Sequence, residues 1–326
     1  MDLHGGKTAT LLLAVALTLF VAAVSHGSVA IPLNELFNAL FSGGDSSSSR
    51  IINEIRLPRV AIAFITGGLL ALAGVMMQTM LQNPLADPYV LGTSGGAAVA
   101  VLAGFLLGIP SPLHPLLALT GAAFSTLLLI LIVGKQAGEK RETLLLAGII
   151  LTTGWGALVT FLLTIAPRND LPGMLFWLVG DLGHSPFVLW PGIILLVLLV
   201  AALAAARAMN LMLLGDEHAQ TLGVPVAKLR LLLLSMAVIA TAIAVSVAGP
   251  IGFIGLVTPH LLRLIQKSDH RWLLPNSILL GGILVVGADL LARTLVSPRE
   301  LPVGVFTALI GAPLFLFLLR RQGSKR

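Results

Sequence analysis

The chain has no cysteine among its 326 residues. That excludes disulfides, thiolate metal sites and a cysteine nucleophile. Charge is almost as scarce. Asp, Glu, Lys and Arg make up 10% of the sequence, 57% is apolar, and mean hydropathy is +1.00. A soluble chain of this length needs far more polar surface. Motifs for self-contained chemistry are missing too. A Walker A loop needs G-x-x-x-x-G-K-[ST] to wrap phosphate in backbone amides. Gly6-Lys7-Thr8 imitates its end but has Met1 where the first glycine belongs, and Gly134-Lys135 is followed by Gln136. There is no H-E-x-x-H and no G-x-S-x-G. Carboxylates inside the apolar runs are almost absent, which argues against a proton-relay pump and so against a secondary transporter working alone. If this chain moves a substrate uphill, the energy comes from a partner.

What fills the sequence instead is a series of apolar runs near residues 10–30, 58–80, 93–109, 114–134, 143–166, 190–207, 229–249, 252–266, 273–296 and 303–321. A helix of about 20 residues spans the hydrocarbon of a bilayer. In lipid every backbone donor and acceptor must be satisfied within the protein, and a barrel would show alternating segments of about ten residues. These continuous runs of Leu, Ala, Val and Ile predict an all-α, polytopic membrane protein with about ten transmembrane helices, one domain over 1–326. The first run, Leu11 to Val24 behind Lys7, also has the outline of a signal peptide, but no A-x-A site closes it and it reads as a retained helix.

With ten spans both termini share a side. Placing them in the cytoplasm puts fourteen Lys and Arg inside, at Lys7 and in the loops and tail from Lys135 onward, against five outside: Arg50, Arg56, Arg59, Arg168 and Arg299. That satisfies the positive-inside rule. It also accounts for the net charge of +6 without nucleic acid, because the basic residues sit at span ends rather than on one polar domain. Gly249, Gly252 and Gly255, with Pro259, predict a short or broken span. His260 reads as structural and His184 as an unsupported external candidate, so no metal site is predicted.

The longest cytoplasmic loop, residues 208–228, holds the sequence Leu214-Gly215-Asp216-Glu217-His218-Ala219-Gln220-Thr221-Leu222-Gly223-Val224-Pro225. Asp216 and Glu217 suit a helix's first turn, and Gly223 and Pro225 end it. The pattern predicts a short helix, a turn and a second short helix into Lys228. Ala219 and Leu222, three apart, would form a small apolar face that inserts into a partner's groove or lies on the membrane.

This loop resembles the coupling-helix loop of the FecCD family, the permeases of ATP-binding-cassette importers for iron chelates and cobalamin. Other segments resemble the family in order: Arg56-Leu57-Pro58-Arg59; Gln78 through Asn83-Pro84-Leu85-Ala86 to Pro88; Gly249-Pro250-Ile251-Gly252-Phe253-Ile254-Gly255-Leu256-Val257-Thr258-Pro259-His260; Glu300-Leu301-Pro302-Val303-Gly304; and Gly311-Ala312-Pro313.

The resemblance implies a ten-helix subunit that pairs with a second copy of itself in a bacterial or archaeal inner membrane, with the translocation path between the copies. Two cytoplasmic ATPase subunits would bind ATP and Mg; this chain would bind no cofactor. A soluble binding protein would deliver a ferric siderophore, haem or cobalamin from outside. Gly215, Asp216, Glu217, Ala219, Leu222 and Gly223 would dock in the ATPase. Arg56, Arg59 and Arg293 would meet carboxylates of the binding protein, although Asp289 and Arg293, four apart, also suit a pair with each other. Asn83 and Leu85 would belong to a cytoplasmic gate. The second gate segment, Arg141, Glu142 and Thr143, departs from the small hydroxyl residues of the cobalamin permease.

Overall fold

The computed structural model describes residues 3–27, 32, 35, 47–134, 141–183, 189–266, 268–297 and 300–323. The apolar runs form helices: α1 (Leu3–Ser25), α2 (Leu57–Leu81), α3 (Thr93–Leu106), α4 (His114–Val133), α5 (Arg141–Ile165), α6 (Leu171–Val179), α7 (Leu189–Met212), α8 (Asp216–Thr221), α9 (Val226–Ala248), α10 (Ile254–Ile265), α11 (His270–Thr294) and α12 (Val303–Gly323). Among the described residues there is no strand. Helices α1, α2, α4, α5, α7, α9 and α11 are each long and apolar enough to cross a membrane, and α3, α10 and part of α12 are shorter apolar helices. Together they match the ten predicted runs.

Local sequence sets where these helices begin and end. Pro58 sits in the first turn of α2, where its missing N–H costs nothing. A π-helical stretch, Ile51–Arg56, leads straight into it. The glycine-interrupted run yields a helix of only 12 residues, α10, entered through Phe253 at φ 70. Two expectations change. The apolar nonapeptide Leu171–Val179 forms its own helix, α6, inside what reads as an external loop. The second short helix expected before Lys228 does not exist separately, because α9 begins at Val226 and runs unbroken to Ala248.

Helices α2 and α9 form the centre. Of their apolar stretches 83% and 78% are buried, against 17% for α1 and 28% for α5 and α7. The outer helices therefore leave many of their Leu and Ile side chains exposed on the outside of the bundle. The central contacts are close because they lack side chains. A Cβ on Gly74 would run into the Gly255 carbonyl of α10, and one on Gly67 into the Gly281 carbonyl of α11. Small residues let helix backbones approach this way without a hydrophobic drive between them. The end of α6 is held similarly: a Cβ on Gly304 would strike the Val179 carbonyl, and Val303 N–H donates to Gly180 O at 3.2 Å.

Candidate functional site

Two polar clusters stand at opposite ends of the bundle. The first gathers where α1 ends and α2 begins. Arg59 Nε lies 2.9 Å from Asp289 Oδ1, and Arg59 Nη1 lies 2.7 Å from Glu300 Oε2. Arg293 Nε lies 2.9 Å from Asp289 Oδ2, the i,i+4 pair suggested by the sequence. Arg56 Nη1 donates to Val24 O and Ser25 O at 2.8 and 3.0 Å, and Arg293 Nη2 to Ala23 O at 3.3 Å. Two arginines thus cap the last carbonyls of α1, which the helix leaves unsatisfied and partially negative.

The three arginines predicted at one mouth do come together, but not as free cations. Arg56 and Arg293 are buried. Asp289 is fully buried between two guanidinium groups. Of the pairs in this cluster, Arg59–Glu300 reaches the surface, with the Glu300 side chain 48% exposed. At the same end, a recess of about 460 Å³ is lined by Phe105, His114, Phe176, Trp177, Asp181 and Ser246. Sequence reasoning missed this recess; its signal was the aromatic pair in the α6 nonapeptide.

The second cluster surrounds α8. Gly215, at φ 100, turns the chain into it. Asp216 Oδ2 accepts from Arg230 Nη2 of α9 at 2.7 Å, and Arg230 is buried. Glu217, Leu222 and Gly223 are exposed. Ala219 and Leu222 do not share an apolar face. Ala219 is fully buried against the bundle and Leu222, the C-cap residue, is 59% exposed.

The turn holding Asn83 and Leu85 lies beside this helix. Gln82, the left-handed cap of α2, donates through Nε2 to Met212 O at 2.7 Å and to Asp216 Oδ1 at 3.2 Å. Asn83 Oδ1 accepts from Leu85 N–H at 2.9 Å, and Leu85 is exposed. Further along, Asp87 caps a short helical turn by accepting from Tyr89 N–H at 2.8 Å, and burial pushes its carboxyl up to about 6. The Tyr89 hydroxyl holds Ile251 through both its carbonyl and its N–H at 3.0 Å. Of the second segment expected at a gate, Glu142 is exposed and Thr143 half-buried at the start of α5, while the Arg141 side chain and His184 lie outside the described residues. Helix α5 meets the 82–92 connection at Gly148, where a Cβ would strike the Val90 carbonyl.

Fold and site together define a transmembrane permease: a helical bundle with a polar mouth at one end and an exposed, anchored helix at the other. The family model described as the FecCD transport family matches residues 12–321, and the chain belongs to that family. It is 42% identical over 326 residues to the hemin transport system permease protein HmuU of Yersinia pestis, covering 97% of this chain and 96% of that one. It is 39% identical over 320 residues to the vitamin B12 import system permease protein BtuC of Klebsiella pneumoniae, covering 97% and 93%. A solved inward-facing conformation of a metal-chelate type ABC transporter superposes with a TM-score of 0.87 at 29% identity, over 97% of this chain and 99% of that one. The chain is a permease subunit of an ATP-binding-cassette importer and not an enzyme.

Proposed function

We propose that two copies of this chain enclose the path by which a bulky metal chelate, such as haem, cobalamin or a ferric siderophore, crosses the inner membrane. The observation that carries this reading is the near full-length similarity to permeases named for hemin and vitamin B12. Exposed apolar residues on α5 and α12, among them Ile149, Ile150, Leu309 and Leu316, give a second copy a surface to meet. The termini and α8 lie in the cytoplasm, in keeping with the excess of Lys and Arg on that side. Two ATPase subunits grip the exposed side of α8 through Glu217, Leu222 and Gly223, while Gly215, Asp216 and Ala219 seat the helix. Uptake of each chelate by the complete transporter, with the binding protein supplied, tests the substrate class; uptake of none of the three contradicts it.

The binding protein docks at the opposite end. The Glu300 partner of Arg59 is exposed, so a carboxylate of the binding protein takes the place of Glu300, while Arg56 and Arg293 hold α1 and Asp289 in position. Exposed charge pairs set encounter rate and orientation more than affinity. Glu300→Gln is therefore expected to tighten binding-protein docking about threefold and to speed association at low salt, with the gain fading at high salt. Surface plasmon resonance on the permease in nanodiscs measures it; weaker docking would show that Glu300 itself contacts the binding protein.

A further inference from the structure

The turn Asn83–Ala86, which the family resemblance makes part of a gate, is held at both ends. Its far end is held by the Tyr89 hydroxyl on Ile251, in the link between α9 and α10, and by Val90 against α5. Its near end is Gln82, which is bonded to the last residue of α7 and the first of α8. The elements around Gln82 are themselves tied together. Asp216 pairs with Arg230 of α9. Asn210 Oδ1 accepts from His270 N–H at 3.0 Å and its Nδ2 donates to Asp269 Oδ1 at 2.7 Å. His270 Nε2 lies 2.7 Å from the Thr79 hydroxyl, one turn before Gln82 on α2. The ends of α2 and α7 and the starts of α8, α9 and α11 therefore form one hydrogen-bonded block.

We propose that Gln82 is the positioning residue that couples the ATPase to the gate. It joins the turn directly to α8, so that displacement of α8 shifts Asn83 relative to Tyr89. The turn between them, stiffened by Pro84, then changes shape as a unit. The side chain is suited to such a joint. It is exposed, so it contributes little to the core, yet its amide spans two helices. This rests on the readings of α8 as the ATPase contact and of the 83–86 turn as a gate.

The test uses the complete transporter of permease, ATPase and binding protein in vesicles, with uptake and ATP hydrolysis measured on the same sample. Gln82→Ala and Gln82→Glu, the second setting a carboxylate against Asp216, are expected to lower uptake per ATP hydrolysed at least tenfold. The ATPase should remain bound and hydrolysis should stay within about twofold of the unaltered complex. Unchanged coupling in Gln82→Ala would overturn the proposal. Loss of the ATPase from Gln82→Ala would make Gln82 part of the docking surface, overturning the joint while leaving α8 as the contact. If Gly223→Trp keeps its ATPase and its coupling, the reading of α8 fails instead.

Discussion

Asp289→Ala is expected to remove folded protein from the membrane. Asp289 is fully buried and is the shared carboxylate of Arg59 and Arg293. Its loss leaves two guanidinium groups in the interior with one half-exposed carboxylate, Glu300, near them. Breaking a buried ion pair by removing one partner costs about 3–5 kcal/mol, against a typical total stability of about 5–15 kcal/mol. The α1 connection weakens as well, because Arg293 also caps the end of that helix. The measurement is the yield of monodisperse protein in detergent and its thermal unfolding midpoint. The triple replacement Asp289→Leu, Arg59→Met and Arg293→Met removes the charges together and is expected to recover most of the yield without recovering binding-protein docking. A stable Asp289→Ala protein would mean that the cluster is solvated and its charges are not mutually dependent.

The second large effect is at α8. Leu222→Arg and Gly223→Trp are each expected to leave the permease folded and inserted but to lose the ATPase on purification, with uptake falling at least a hundredfold. Both positions are exposed, and a Cβ on Gly223 meets nothing within 4 Å, so added bulk there points outward. Its φ of 84 adds strain, on the order of 1–2 kcal/mol for a non-glycine residue in that region, too little to unfold the bundle. Ala219→Arg behaves differently. Ala219 is fully buried, so a long cation there unseats α8 and lowers stability as well as coupling. Co-purification of the ATPase together with unfolding curves separates the two outcomes. Normal ATPase retention in Leu222→Arg and Gly223→Trp would move the contact elsewhere.

The ten apolar helices were legible because each falls on an apolar run, seven of them long enough to span, and helix is forced on such a run in lipid. The short α10 was marked by the Gly249–Gly255 glycines. Helix α6 escaped notice because nine apolar residues are too few to read as a span and lie within an otherwise polar stretch. The Asp289–Arg293 pair was visible as an i,i+4 spacing. The salt bridge from Arg59 to Glu300 was not, since 241 positions separate its partners and no local pattern links them. The same holds for Gln82 and Asp216, 134 apart. The inward turn of Ala219 was hidden because which side of so short a helix meets the bundle is set by contacts distant in sequence.

The proposed opening of this permease by a partner's ATP hydrolysis, acting through α8, is measured most directly as chelate accumulation in sealed vesicles. The vesicles hold the purified permease with and without its ATPase and binding protein. Accumulation is expected only with ATP and both partners present, and to stop when α8 carries Gly223→Trp. Accumulation by the permease alone, driven by a proton or sodium gradient, would contradict it.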